Sequence, residues 1–194
     1  MKKSNIILSG VGGQGILTIA AAISLASLKE GLDTKQAEVH GMSQRGGAVQ
    51  SHLRISDQNI SSDLIPLGEA DIILSVEPLE GLRYLPYLNK NGILVTNSKP
   101  FINVPDYPEQ EDIIKEIRSL PENIIVDADK LARDLGSPRS SNIIMLGAAS
   151  SFICLDFASL EFGVEQIFKR KGQNIVDINL QALNIGREVA KNYK

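Results

Sequence analysis

A glycine-rich segment near the N-terminus is the first place in the sequence whose residue types could bind a ligand. Residues 10–15 match the pattern G-x-G-x-x-G. In that pattern Gly10 permits a tight turn, Gly12 lets a phosphate approach the backbone, and Gly15 lets the next helix pack close to the strand. The residues of this candidate anion or phosphate loop are Gly10, Gly12, Gly13, Gln14 and Gly15.

The segments on either side of this loop are those expected of an anion-binding loop, namely a strand before it and a helix after it. Residues 5–9 form a short apolar run typical of a buried strand, and apolar residues recur at helical spacing after the loop. A helix N-terminus offers free N–H groups and a partial positive charge, which favours an anion. The alternative is that the glycines serve only the strand-to-helix turn. An ATPase is disfavoured, because Ile16 and Leu17 replace the lysine and hydroxyl residue of a phosphate-binding P-loop.

Glu38 keeps a dinucleotide-binding interpretation open. It lies near the end of the second predicted strand, where such folds place an acid that binds the ribose. The alternative for Glu38 is a solvated charge at the end of a strand.

A second glycine-rich segment, residues 41–47, follows that strand, and a Rossmann dehydrogenase has no reason for such a segment there. The guanidinium of Arg45 is suited to hold a phosphate or carboxylate through two parallel hydrogen bonds. The alternative is a hairpin-like connection with a solvated arginine. The candidate site residues of this second loop are Gly41, Ser43, Gln44, Arg45, Gly46 and Gly47.

Together the two loops resemble a known family. Gly-Val-Gly-Gly-Gln-Gly at 10–15 and Glu-Val-His-Gly-Met-Ser-Gln-Arg-Gly-Gly at 38–47 are similar to the gamma-type subunits of 2-oxoacid:ferredoxin oxidoreductases. Within that group the indolepyruvate branch is the most similar. Asn142 followed by Met-Leu-Gly-Ala at 145–148 is similar to a late helix of the family, and the resemblance spans roughly residues 4–190.

The resemblance implies a subunit of an enzyme that decarboxylates a 2-oxo acid oxidatively to an acyl-CoA and passes electrons to ferredoxin. In the indolepyruvate branch the substrate would be an aryl pyruvate. Thiamine diphosphate, Mg²⁺ and 4Fe-4S clusters are expected on a larger partner subunit, since this chain carries no Gly-Asp-Gly segment for thiamine diphosphate. Coenzyme A would bind at the shared site through the two loops. No catalytic residue is assigned within this chain.

Cysteine and histidine usage argues against a metal site in this chain. The chain has one cysteine, Cys154, whereas an iron–sulfur cluster needs about four thiolates. Cys154 lies in an apolar run and is predicted to be a buried core residue. The two histidines, His40 and His52, form no zinc-ligand pattern with it.

Bulk composition is that of a soluble globular protein. Of 194 residues, 43% are apolar and 22% charged, and the net charge is −3, so we expect no nucleic-acid partner. No apolar stretch approaches the roughly 20 residues that span a membrane, and no signal peptide is evident, so we expect a cytoplasmic protein. Apolar surface left exposed without the partner predicts self-association, for example a homodimer in isolation.

Strand and helix patterns alternate along the first 140 residues. This alternation predicts an α/β fold, namely a Rossmann-like, mostly parallel sheet with helices on both faces and a helical C-terminal extension. We expect a single domain, residues 1–194, with a core of about 4–140 and C-terminal helices over about 141–194. The predicted strands are 5–9, 34–39, 49–55, 71–76, 93–96 and 123–126. The predicted helices begin at 16 and cover 79–88, 112–120, 129–135, 142–154, 159–170 and 175–192, and Asn91-Gly92 is predicted to be a turn.

Three functional hypotheses follow. The first is an oxidoreductase subunit without its own redox cofactor. The second is a free-standing NAD(P)-dependent oxidoreductase, supported by the first loop and Glu38. The third is a non-catalytic nucleotide-binding or scaffold module.

Overall fold

The computed structural model describes residues 2–40, 46–102 and 104–193. They contain the strands β1 (Lys3–Val11), β2 (Asp33–His40), β3 (Ala48–Ser56), β4 (Ala70–Ser75), β5 (Leu88–Asn97) and β6 (Asn123–Val126). These six strands form one sheet in the order β2-β3-β1-β4-β5-β6.

The sheet is mixed, and β3 is its one reversed strand. β1, β4, β5 and β6 pair in parallel, whereas β3 pairs antiparallel with both β1 and β2. The prediction of a mostly parallel sheet is therefore confirmed. The exception follows from the connection between β2 and β3, which is far too short for a parallel crossover.

Helices cover both faces of the sheet, as predicted. Along β1, Ile6 and Leu8 point into the larger apolar core, whereas Ile7 points into the smaller one. The helices are α1 (Ile16–Lys29), α2 (Pro78–Arg83), α3 (Gln110–Ser119), α4 (Ala128–Asp134), α5 (Ser141–Ala149), α6 (Phe157–Phe168) and α7 (Gln173–Lys191). The larger core lies beneath α1, α4, α5, α6 and α7, and the smaller core lies beneath α2 and α3.

Three local predictions were wrong, and two of them lie next to Pro or Gly. The helix predicted over 142–154 ends at Ala149 and is followed by a 3-10 turn, Ser150–Phe152. The helix predicted over 79–88 ends at Arg83 and is followed by a 3-10 turn, Leu85–Tyr87, because Pro86 cannot continue the α-helical bonding. Asn91-Gly92 is not a turn but lies inside β5, where the pairing with β4 shifts register between Ala70 and Ile72. Such bulges commonly contain glycine.

Cys154 is only half-buried, so the prediction of a fully buried core residue was too strong. It lies at the edge of the larger core, and its N–H donates a hydrogen bond to Ser4 Oγ at 2.9 Å. Burial raises the pKa of its thiol. A raised thiol pKa lowers the fraction of reactive thiolate, which fits a packing role for Cys154.

The C-terminal helices pack unusually close to one another. α5 lies on the sheet and α7 lies on α5, with Gly147 and Gly186 at the crossing. A Cβ atom on Gly186 would lie 1.9 Å from the carbonyl oxygen of Ile144, and one on Gly147 would lie 2.0 Å from that of Leu183. Backbone meets backbone at this crossing, and a side chain on either glycine cannot be accommodated without moving a helix.

His52 stabilises the connection between β3 and β4 through a hydrogen bond to Ile65. The buried ring accepts a hydrogen bond at Nδ1 from the Ile65 N–H at 3.0 Å and packs edge-on against Tyr87. Burial lowers the pKa of His52, partly opposed by the charge of Asp63. A lowered folded-state pKa means that the neutral ring stabilises the fold.

We therefore expect the stability contributed by His52 to be complete above its ordinary pKa of 6.5 and to be lost as the pH falls through its lower folded-state pKa. Protonation of His52 adds an N–H at Nδ1, which then faces the N–H of Ile65 and can no longer accept its hydrogen bond. The resulting loss in the free energy of unfolding is at most about 1.4 kcal/mol per pH unit. Urea unfolding at pH 7.5 and 5 measures it. His52→Asn retains an acceptor that does not titrate, and a variant that loses as much stability as the natural chain would contradict the assignment.

No helix among the described residues is long and apolar enough to cross a lipid bilayer.

Candidate functional site

The fold brings the two predicted glycine loops together. The β1–β3 ladder continues to Val11 and Ala48, and the N–H of Gly12 then donates to the carbonyl of Gly47 at 2.9 Å. Gly46 precedes this contact with a φ of +81°. The end of the second loop therefore lies directly beside the first. The predicted site residues Gly41, Ser43, Gln44 and Arg45 lie outside the described residues.

The first loop is a compact turn at the end of β1. The N–H of Val11 donates to the side-chain oxygen of Gln14 at 2.8 Å, and the N–H of Gln14 donates to the carbonyl of Val11 at 3.1 Å. Gln14, proposed as a ligand residue, thus also stabilises the turn. The space beside Gly13 is open, since a Cβ atom added there would have no neighbour within 4 Å, so the backbone can be approached closely.

Gly15 joins the first loop to the start of α5. It is the N-cap of α1 with a φ of +79°, and a Cβ there would lie 2.4 Å from Asn142 Nδ2. Asn142 Nδ2 donates to the carbonyl of Gly15 at 3.1 Å. Gly15 was predicted to let α1 pack close to the strand, but the close neighbour is the first turn of α5. The late helix that contributed to the family resemblance therefore lies in this site.

A cleft of about 190 Å³ opens beside the first loop. It lies beyond the carboxyl ends of β1, β4 and β5, which is where open α/β sheets bind ligands. Its volume is below the roughly 300–1,000 Å³ of ligand pockets, so it holds part of a ligand or is completed by another chain. The lining residues are Gln14, Val76, Asn97, Phe101, Asp129, Ser141, Asn142 and Met145.

Two helix N-termini converge on this cleft. Neither α1 nor α5 has a side chain that caps its first turn, and neither carries an acidic residue there. Their N–H groups and partial positive charges favour an anion. Asn142 is nearly buried, and its Oδ1 has no hydrogen-bond partner. The start of α5 therefore combines a first turn without a side-chain cap and an unpaired acceptor.

One side of the cleft carries a negative charge. Asp129 Oδ2 accepts a hydrogen bond from Asn97 Nδ2 at 2.7 Å, while Asn97 Oδ1 accepts one from the N–H of Ala128 at 3.1 Å. This pair fixes the start of α4 against the end of β5. The Asp129 side suits a polar, uncharged group, and the glycine-loop side suits an anion.

Sequence reasoning missed most of the cleft lining. Asn97, Phe101, Asp129, Ser141 and Met145 were not proposed as site residues. Asn97 follows a predicted parallel strand, and the rule that ligands bind at carboxyl ends of such strands could have identified it. Nothing in the sequence indicated that α5 would begin beside the first loop.

Glu38 does not occupy the position of a ribose-binding acid. β3 lies between β1 and β2, so the strand of Glu38 is at the sheet edge, two strand spacings or roughly 10 Å from β1. Its carboxylate accepts a hydrogen bond from Gln36 Nε2 at 2.6 Å. The strand order therefore removes the residue on which the dinucleotide interpretation depended.

Comparison with known proteins assigns this architecture to a family. The family described as pyruvate ferredoxin/flavodoxin oxidoreductase matches residues 5–189. The chain belongs to this family. A relative named indolepyruvate oxidoreductase subunit IorB, from Archaeoglobus fulgidus, is 39% identical over 189 residues, covering 94% of this chain and 92% of the relative. The resemblance drawn from the two loops is thus confirmed, and the protein is a subunit of a 2-oxoacid:ferredoxin oxidoreductase.

Solved structures share the fold of this family member. The gamma subunit of a keto/oxoacid ferredoxin oxidoreductase from Geobacter sulfurreducens matches with a TM-score of 0.73 at 24% identity, covering 97% of this chain and 99% of that one. A 2-oxoglutarate:ferredoxin oxidoreductase from Magnetococcus marinus, bound to 2-oxoglutarate, coenzyme A and succinyl-CoA, matches with a TM-score of 0.77 at 20% identity. That match covers 99% of this chain and 32% of the other.

Proposed function

We propose that this chain is the small subunit of an indolepyruvate-type 2-oxoacid:ferredoxin oxidoreductase, and that it binds the phosphate-bearing part of coenzyme A at its paired glycine loops. The substrate assignment is supported by the name of the Archaeoglobus relative. The ligand assignment is supported by the coenzyme A bound in the Magnetococcus structure. The observation that carries the proposal is the convergence of two uncapped helix N-termini on a cleft beside Gly12 and Gly47.

The redox cofactors belong on a larger partner subunit in this proposal. The chain has a single cysteine, which is half-buried, and a cluster needs about four thiolates. Thiamine diphosphate, Mg²⁺ and 4Fe-4S clusters would supply carbanion and electron-transfer chemistry from the partner, which passes electrons to ferredoxin. This chain contributes binding and orientation of coenzyme A, and no catalytic side chain is assigned to it.

The partner subunit would also complete the coenzyme A site. The cleft holds only part of a molecule of that size. Exposed apolar side chains stand on the same edge of the sheet, on the first turn of α1 at Leu17 and after β5 at Phe101 and Ile102. Such surface suits a subunit interface, and without the partner it favours self-association, so a homodimer is the expected form of the isolated chain.

Gly12→Val tests the loop assignment in the assembled complex. The valine side chain fills the space through which a phosphate approaches the backbone, so we expect the KM for coenzyme A to rise about tenfold, which corresponds to about 1.4 kcal/mol. The KM for the 2-oxo acid should change less. Steady-state kinetics with a viologen dye as electron acceptor measures both.

A stability control separates binding from folding. Gly31 lies beyond the far end of α1, has a φ of +71° and faces open space, so Gly31→Val strains the backbone away from the loops. The melting temperatures of both variants are recorded beside their kinetics. An unchanged KM for coenzyme A in Gly12→Val would show that the loop is only a turn.

A further inference from the structure

The carboxylate of Glu77 is buried directly behind the cleft wall. Glu77 follows Val76, which lines the cleft, and only 1% of its surface is exposed. Within the described ranges, no lysine or arginine forms an ion pair with it. Since burying a carboxylate is costly, its stability in this position depends on hydrogen-bond donors that surround it.

Those donors come from two separate parts of the chain. Oε2 of Glu77 accepts the N–H of Glu80 at 2.8 Å, which caps the start of α2. Oε1 accepts the N–H of Phe101 at 3.3 Å and the hydroxyl proton of Tyr107. Burial and the hydrogen bond to Glu77 raise the pKa of Tyr107, which therefore remains a proton donor at any working pH. One carboxylate thus ties the end of β4 to residues 101 and 107.

These two residues belong to the connection between β5 and α3, residues 98–109, hereafter the 98–109 segment. Its described residues form no helix or strand, so few backbone bonds fix its course. The segment nevertheless supplies one wall of the cleft, the side chain of Phe101. Glu77 holds the backbone of this same residue and therefore determines where the wall stands.

We propose that Glu77 is a positioning residue for coenzyme A binding, which it serves by holding the 98–109 segment so that Phe101 forms the wall of the cleft. Glu77 does not touch the ligand. This inference rests on the proposed function in one respect, namely that the cleft binds coenzyme A. Beyond the proposed function, it identifies the contact between Glu77 and the 98–109 segment as the feature that shapes the cleft.

Glu77→Gln in the assembled complex tests the proposal. The glutamine amide replaces one acceptor oxygen with a donor, so the N–H of Glu80, the N–H of Phe101 and the Tyr107 hydroxyl cannot all remain bonded. We expect the KM for coenzyme A to rise about tenfold, while kcat at saturating coenzyme A and the KM for the 2-oxo acid change less than about twofold. Hydrogen exchange of the 98–109 segment should accelerate.

Two further variants make the result decisive. Glu80→Gln is the matched control, since Glu80 is also buried on α2 but its carboxylate contacts Arg83 instead of the segment. It should leave the KM for coenzyme A unchanged. Tyr107→Phe removes only the hydroxyl from a half-buried ring, and a rise of about threefold in that KM is expected. If Glu77→Gln does not fold, the Tyr107→Phe variant alone tests whether the hydrogen bonds of Glu77 to the 98–109 segment affect coenzyme A binding.

The outcomes separate this inference from the proposed function. If Gly12→Val raises the KM for coenzyme A but neither Glu77→Gln nor Tyr107→Phe does, the positioning role of Glu77 is overturned and the ligand assignment stands. Equal effects of Glu77→Gln and Glu80→Gln also overturn it, since they indicate general loss of packing. If Gly12→Val has no effect either, the coenzyme A assignment itself fails.

Discussion

Gly186→Ala is expected to lower the free energy of unfolding by about 2–3 kcal/mol, or the melting temperature by roughly 4–12 °C for a chain of this size. The new Cβ would lie 1.9 Å from the carbonyl oxygen of Ile144 and 2.8 Å from the amide nitrogen of Ala148. Both neighbours are backbone atoms of α5, which is itself fixed on the sheet. α7 must therefore move outward and lose packing.

The expected loss already includes an opposing effect. Alanine is favoured over glycine inside a helix by about 1 kcal/mol, so a Gly186→Ala variant would be stabilised if the crossing had room for a methyl group. Gln181→Ala is the matched control, because Gln181 lies on the exposed side of the same helix and should change stability by no more than about 0.5 kcal/mol. Thermal unfolding of both variants measures the difference. If the Gly186→Ala chain is as stable as the Gln181→Ala chain, the crossing of α5 and α7 has room for a methyl group and is less close than the structure shows.

Arg45→Ala is expected to raise the KM for coenzyme A by about 10- to 100-fold, because charged hydrogen bonds contribute roughly 1.5–3 kcal/mol. Arg45 lies outside the described residues, but in the sequence it directly precedes Gly46 and Gly47. Gly47 is bonded to Gly12 of the first loop. A guanidinium attached to this segment is suited to grip a phosphate at the paired loops through two hydrogen bonds. The KM for the 2-oxo acid should change less.

Two substitutions show whether the geometry of Arg45 matters. Arg45→Lys keeps the charge and loses the planar fork, so it should restore only part of the affinity. Arg170→Ala removes an exposed arginine from the 3-10 turn that follows α6 and should leave the KM for coenzyme A unchanged. If Arg45 instead pairs with a carboxylate of the partner subunit, Arg45→Ala would dissociate the complex on a sizing column. With both affinity and assembly unchanged, Arg45 is a solvated loop residue and its assignment is wrong.

Local sequence patterns were sufficient to predict most of the fold. The β6 strand, 123–126, was predicted to the residue, and β1 was recognised from its buried apolar run. The helix predicted over 159–170 is present as α6, which a 3-10 turn, Lys169–Lys171, extends to Gly172. The errors have two kinds of cause, a local one where Pro86 stops a helix and a non-local one where strand pairing is irregular. Asn91-Gly92 has the composition of a turn, but it belongs to β5, at the point where the pairing with β4 skips the residues between Leu88 and Ile93.

The candidate site was only partly predictable for the same reason. The Gly10–Gly15 loop could be recognised locally, because glycine spacing between a strand and a helix is a short-range signal. The positions of Asn142 and Phe101 depend on how α5 and the 98–109 segment return to the carboxyl edge of the sheet. The position of Glu38 depends on strand order, which placed β3 between it and the loop. No local pattern carries such information.

Reconstitution from separate subunits shows whether this chain is a cofactor-poor subunit on which a cofactor-bearing partner depends. The two chains are expressed separately and assayed for coenzyme A-dependent reduction of a viologen dye by indolepyruvate, alone and combined, and each is analysed for iron and thiamine. We predict activity only in the mixture, with iron and thiamine on the partner alone. Full activity of the partner by itself, oxidoreductase activity of the isolated chain with NAD, or stoichiometric iron on this chain would show that the subunits do not divide these roles in this way.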